Sequence, residues 1–264
     1  MIDEIVNWFR HYTDRFHTDD PLNNWSISLK TDHSLRVSRI AASIAAKENF
    51  DEDDIKTATI AGLLHDLGRF EQYRRFQTFS DHRSINHGQL GAEIARESGC
   101  LSRLGSEEQE QVIKAVHHHN SPSVPVNEDI KTIAFIKLVR DADKIDIFHL
   151  SCEYFKTRSA ENKNPAVELE LSDEQTVSEG IYAAIMAGTI ALMKDLKTLD
   201  DFKALQMSWV FDINYMESLR LILQQDTLKK IYETFSIKTG RINDIFTKTS
   251  SYLGQKIQNE LVRL

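Results

Sequence analysis

His65 and Asp66 stand side by side at the end of a strongly apolar run, and this pair is where the sequence first concentrates reactive groups. A charged carboxylate among apolar residues is costly unless it is paired or holds a metal. Further groups of the same kind are His33, His87, the run His117-His118-His119, and the acidic cluster Asp141, Asp143 and Asp146. Imidazole nitrogen and carboxylate oxygen suit a divalent Mn, Fe, Co, Ni, Zn or, less well, Mg ion. No cysteine falls among these residues, so a structural zinc knot is not expected. Water on an open position of a divalent ion loses its proton near neutrality, so such a site would offer a nucleophile.

Taken singly, each residue has a plainer explanation. A lone inward histidine such as His33 or His87 is most often a hydrogen-bonded core residue. His118 reads as solvated, Asp141 as half of a surface ion pair with Arg140 or Lys144, and His82 and His149 as ordinary surface residues. The joint pattern outweighs these readings, because a buried His-Asp doublet has few other uses.

The elements that must position these groups are helices. Pro and Gly are scarce, and Ala, Leu, Ile, Lys and Glu recur at helical spacing, so an all-α chain is expected. The stripe Ile2, Ile5, Val6, Phe9 predicts a first helix to about Phe16, followed by a loop over Pro21 to Ser28. A helix from about Thr31 to Glu48 carries His33 on the stripe of Val37, Ile40 and Ile44. The acidic run 51–54 suits a helix N-terminus, and the helix after it is apolar nearly all round to about Leu67, with Gly68 as its stop. Residues 69–86 read as a loop, followed by a helix from His87 to Glu97 that ends at Gly99. Ser106 to Gln109 reads as a capping box opening a helix to His119, whose apolar face (Val112, Ala115, Val116) continues to His119 and leaves His118 on the polar side. A long apolar helix runs from Ile130 to His149; both Asp141 and Asp143 fall on apolar faces of it, and periodicity does not choose between them. Beyond it come a loop over 162–165, a capped helix opening at Ser172, and further helices to the end. Residues 1–150 are expected to form a metal-binding helical core. Residues 151–264 would be C-terminal helices that pack on or cap it, or belong to the same domain. Trp209, Phe211 and Asp212 are read as core packing rather than a lid.

The formal net charge of −8 argues against a surface that coats a nucleic acid polymer, but leaves room for a small anionic ligand held by local basic residues. Two cysteines give no disulfide framework, and the start is acidic with no signal peptide pattern, which together suggest a cytoplasmic setting. No apolar run reaches the roughly 18 residues that would span a membrane.

The segment Ala61-Gly62-Leu63-Leu64-His65-Asp66-Leu67-Gly68-Arg69 resembles the central motif of the HD metal-dependent phosphohydrolase superfamily. The order His33, then His65-Asp66, then a distal Asp within Ala142-Asp143-Lys144-Ile145-Asp146, resembles that superfamily's signature, and His33-Ser34-Leu35-Arg36-Val37 is similar to the context of its first ligand. The resemblance covers residues 30 to 147. It implies an HD-domain helical bundle with additional C-terminal helices, and a divalent ion held by His33, His65, Asp66 and Asp143. It favours Asp143 over Asp141. Members with two ions add one histidine from each of the next two helices, for which His87 and His119 match, with His118 in reserve. Asp66 would then bridge both ions. The chain departs from the cyclic-di-GMP phosphodiesterases, which carry a GYP segment where this sequence has Asn120-Ser121-Pro122, and Leu29 stands where a third-metal glutamate would precede His33.

The expected activity is hydrolysis of a phosphate ester or anhydride in a small molecule, with a nucleotide as the leading substrate. Asp66 and Arg69 are the catalytic candidates, Arg69 by its place just past the HD pair. Arg69, Arg74, Arg75 and Lys144 are the candidates for holding phosphate. Two rivals remain: a di-iron oxygenase of the same superfamily, and a non-catalytic nucleotide-sensing module. A homodimer is compatible with all three.

Overall fold

The computed structural model describes residues 1–159, 163–169 and 171–262. The chain divides into two compact units, Met1–Asp146 and Ile147–Leu264. Among the described residues the regular structure is helical, with one isolated β-bridge between Ser172 and Thr198. No described helix is long and apolar enough to cross a membrane.

The first unit opens with α1 (Ile2–Asp14), whose Phe9 and Tyr12, with Phe16 just beyond, surround the ring of Phe70. Helix α2 (Pro21–Lys47) begins ten residues earlier than expected. Asp20 caps it by accepting from the Leu22 N–H at 3.0 Å, and Pro21 sits where its missing N–H has no bond to lose. The supposed loop over Pro21 to Ser28 is therefore the first two turns of α2, fixed by the buried Asn23, Ser26 and Ile27. Asp51 caps α3 (Glu52–Leu64) by accepting from the Asp53 and Asp54 N–H groups. This helix is buried from Thr57 onward on nearly every side, except at Thr59.

Gly68 is not a stop. The chain turns at His65-Asp66 and enters α4 (Leu67–Phe76), so half of the expected 69–86 loop is helix. Gly68 is small for a different reason: a Cβ there would meet the His87 carbonyl oxygen at 2.2 Å and the Gly91 nitrogen at 2.7 Å. It lets α4 lie against α5 (His87–Ser98), which Asn86 caps and Gly99 ends at φ +70°. The sequence reading missed α4 because its first turn carries a glycine and its outer face is polar. Helix α6 (Ser106–His118) follows, with Gly105 rather than Ser106 at the cap and no side-chain cap bond. Helix α7 (Ile130–Thr157) supplies the distal acidic residues. The packing pairs are α2 on α3, α4 on α5, α5 on α6 and α3 on α6. His33, His65, Asp66, His87 and His119 thus arrive from four neighbouring segments of one helical stack.

The second unit comprises α8 (Pro165–Glu168), α9 (Glu179–Met186), α10 (Leu199–Ser208), α11 (Met216–Gln224), α12 (Thr227–Glu233) and α13 (Gly240–Leu261). Helix α13 packs on α9, α10, α11 and α12. The helix expected to open at Ser172 starts instead at Glu179; Ser172 accepts a backbone bond from Leu199, and the capping box belongs to Thr198 and Asp201. In the expected 162–165 loop, Asn162 lies outside the described residues and Pro165 opens α8. Trp209 packs its ring 5.3 Å from Phe148, and Phe211 meets Tyr252 edge-on at 4.9 Å, both as packing contacts.

Candidate metal centre

All residues of the His–Asp constellation lie within the Met1–Asp146 unit. His33 faces inward from α2, and His65 and Asp66 occupy the turn between α3 and α4. His87 opens α5, His119 follows α6, and Asp143 projects from α7. The five residues other than Asp143 are buried.

The geometry has two lobes that share Asp66. In the first, His33 Nε2 lies 3.1 Å from His65 Nε2 and 3.1 Å from Asp143 Oδ1. His65 Nε2 is 3.5 Å from the same Asp143 oxygen, and both rings stand 3.6 Å from Asp66 Oδ2. In the second, His87 Nε2 is 2.9 Å from His119 Nε2 and 3.2 Å from Asp66 Oδ1, with His119 Nε2 at 3.7 Å from that oxygen. One carboxylate oxygen thus faces each pair of imidazoles.

The opposite ring nitrogens are all anchored. His65 Nδ1 donates to the Gly62 carbonyl at 2.8 Å and His119 Nδ1 to the Val116 carbonyl at 2.7 Å. His33 Nδ1 donates to Asp146 at 2.7 Å and His87 Nδ1 to Asp81 at 2.8 Å. A carbonyl can only accept, so the proton of His65 and of His119 sits on Nδ1, and in the neutral ring Nε2 keeps a lone pair. The Nε2 lone pairs of His65 and His119 therefore face carboxylate oxygens and a second imidazole nitrogen at 2.9–3.7 Å, an arrangement that a cation between them would satisfy. Outer hydrogen bonds of this kind orient histidine ligands and raise their basicity. Two donor groups, His33 with His65 and Asp143, and His65 with Asp66 and His119, have ligand atoms within 4.8 Å of one another. The donor set fits one or two divalent ions of the nitrogen–oxygen type.

Electrostatics agree. Burial would raise the Asp66 carboxyl, but Lys30 and His65 hold it well below the usual range. Burial likewise opposes ionisation of Asp143, but the neighbouring His33 and His65 rings hold its carboxyl well below normal. Burial pushes His119 down to about 4, so its ring is neutral at pH 7 and ready to act as a ligand.

The remaining site candidates separate clearly. His118 stays outside the cluster, partly exposed and 4.0 Å from Glu128, whereas His119 enters it. Asp141 is fully buried, yet it is Asp143 that reaches the imidazoles. Arg69 borders the second lobe, its Nε 3.4 Å from Asp66 Oδ1 and its Nη1 bonded to Asp81 at 2.9 Å. Lys144 is buried beside Asp143 on α7. Arg74 and Arg75 are exposed at the far end of α4 and pair with Glu71.

Three residues that the sequence reading did not single out in these roles complete the centre. Lys30 places Nζ 2.7 Å from Asp66 Oδ2; it precedes His33 by three positions, a spacing that puts both on one face. Asp146, read only as part of an acidic cluster, anchors His33 and is gripped by Arg36 at 2.7 and 3.0 Å. Asp81, in the loop after α4, had no periodic signal at all.

The sequence profile of the HD domain family matches residues 31–148, which spans every proposed ligand. An uncharacterized protein of Methanocaldococcus jannaschii is 36% identical over 75 residues, covering 28% of this chain and 38% of that relative. No solved structure matches the chain. The H…HD…D order and the helical stack agree with that profile, and residues 31–148 are similar to the HD domain family.

Proposed function

We propose that this chain is a metal-dependent phosphohydrolase that acts on a small phosphate ester or anhydride, with a nucleotide as the leading substrate. The observation that carries the reading is Asp66, whose two carboxylate oxygens each face a separate pair of inward imidazole nitrogens. Residues His33, His65, Asp66 and Asp143 would hold one divalent ion, and Asp66, His87 and His119 a second. Divalent ions in such a site lower the pKa of bound water and polarise phosphoryl oxygens.

The chain's own residues supply the rest. Asp146 and Asp81 fix the ring orientation of His33 and His87, and the Gly62 and Val116 carbonyls do the same for His65 and His119. Lys30 and Arg69 place two cations beside Asp66, one on each side, where they can neutralise the oxygens of an incoming phosphate. This pair of cations suits an anionic substrate such as a phosphate rather than a neutral one. Lys144 stays a candidate for the same task; Arg74 and Arg75, paired with Glu71, are less well placed.

The test is a phosphate-release screen over nucleotides and phosphodiesters, run with metal analysis. Asp66→Ala should lose both bound metal and turnover. A fully active Asp66→Ala variant, or iron-dependent oxygen consumption without phosphate release, would overturn the reading.

A further inference from the structure

The two lobes are not built alike. In each, one histidine is anchored to a carbonyl of its own chain three residues back: His65 to Gly62 and His119 to Val116. The other histidine depends on a carboxylate. For His33 that carboxylate is Asp146, on the long helix α7, with its side chain 2% exposed and locked by Arg36. For His87 it is Asp81, on a short 3-10 turn in the loop between α4 and α5, with its side chain 28% exposed.

Asp81 also does more than Asp146. Its Oδ1 accepts from Arg69 Nη1 at 2.9 Å and from Gln72 Nε2 at 2.8 Å, and its Oδ2 accepts from Asn120 Nδ2 at 2.9 Å. His87 Nδ1 lies within 2.9 Å of both oxygens. One surface-accessible carboxylate therefore sets the ring that faces the second lobe, ties down the guanidinium beside Asp66, and holds the residue that follows His119.

We infer that Asp81 is the positioning residue of the second lobe, holding His87 for a second ion and Arg69 for phosphate with a single carboxylate. This rests on the two-ion form of the proposed function. Without the Asp81 charge, His87 loses its orienting carboxylate and Arg69 loses its one charged partner on Nη1, keeping Gln72 Oε1 and the Phe79 carbonyl, while His33, His65 and Asp143 keep all of their partners. The first lobe is thus the tighter and self-sufficient one, and the second is assembled by the 77–86 loop.

The test is a calorimetric Mn²⁺ titration of the full chain after chelator stripping, comparing wild type, Asp81→Asn and Asp146→Asn. Wild type should show two classes of sites. Asp81→Asn should weaken the second class about 10- to 100-fold and leave the first in place; Asp146→Asn should do the reverse. At saturating Mn²⁺, Asp81→Asn should also bind inorganic phosphate more weakly. If Asp81→Asn fails to melt cooperatively, Asp81→Glu carries the same test, since it keeps the charge but moves it. Superimposable wild-type and Asp81→Asn titrations, or equal weakening of both classes, would overturn the inference. Two classes in wild type with no phosphate release would remove the hydrolase reading and leave this one standing; a single class would do the opposite.

Discussion

At the scale of single residues, the centre rests on side chains that the fold brings within a few ångströms of Asp66, and on the partners that orient them. His33, His65, Asp66 and Asp143 could be read because each sits on a helical stripe and within a recognisable motif. The sequence leaves both His118 and His119 as candidates, although only His119 continues the face of Val112, Ala115 and Val116, and the fold brings His119 rather than His118 to Asp66. Asp81 escaped because a loop residue has no period, and its importance depends on where α4 and α5 place Arg69 and His87. The buried, neutral His119 leads to a pH prediction. Its folded pKa, pushed down by burial to about 4, lies below the ordinary histidine value of 6.5, so only the unfolded chain takes up a proton between those values. Stability of the metal-free protein should therefore fall as pH drops from about 6.5 toward 4. The depressed carboxyls of Asp66 and Asp143 add loss in the same direction at lower pH. His33 runs the other way: burial and Lys30 push it down, but the bonds to Asp143 and Asp146 outweigh them and raise it. Its contribution is full at acid pH and fades as pH rises through its folded value. Urea unfolding midpoints from pH 7.5 to 4 with excess chelator measure the balance. His119→Gln should flatten the decline between 6.5 and 4, and an unchanged slope would refute the assignment.

At the scale of elements, long apolar stripes were readable and short crossings were not. Helices α5 and α7 and the buried core of α3 follow directly from the positions of their apolar residues. The first turns of α2 were lost because Asp20-Pro21 looks like a turn, although the same dipeptide is a strong helix start when the chain behind it is apolar at the right spacing. Helix α4 was lost for a related reason. Gly68 reads as a terminator in the sequence, whereas in the fold it marks a close approach of α4 and α5. Gly68→Ala tests this. The added Cβ would run into backbone atoms of His87 and Gly91, and neither can swing aside as a side-chain tip would. Overpacking of this kind costs about 1–3 kcal/mol, read as a lowered denaturant midpoint. Because the clash is with His87 itself, metal affinity of the second lobe should fall with it. A variant as stable as wild type, with unaltered metal binding, would show that α4 and α5 can separate without consequence.

At the scale of the whole molecule, the acidic chain gathers cations at one place. The net charge is −8, yet Lys30, Arg36 and Arg69 all point at carboxylates of the centre. A basic face spread over the surface would suit a polymer; inward cations suit a small anion. Every ligand candidate lies within Met1–Asp146, and Ile147–Leu264 contributes none of them. This gives a prediction about where metal binding is felt. An ion that binds only the folded centre stabilises it by the binding free energy, about 2.7 kcal/mol at a concentration one hundred times its dissociation constant. Amides whose exchange requires an opening that breaks the centre should then slow by about 100-fold. Hydrogen exchange with and without Mn²⁺ should therefore show its largest protection in peptides from α2 to α6 and the first half of α7. Peptides from α9 to α13 should change less. Equal protection along both units would mean that the ion's effect is not confined to the helices that carry its ligands. Protection concentrated in α9 to α13 would place the ion elsewhere altogether and contradict the coordination argued from His33, His65, Asp66 and Asp143.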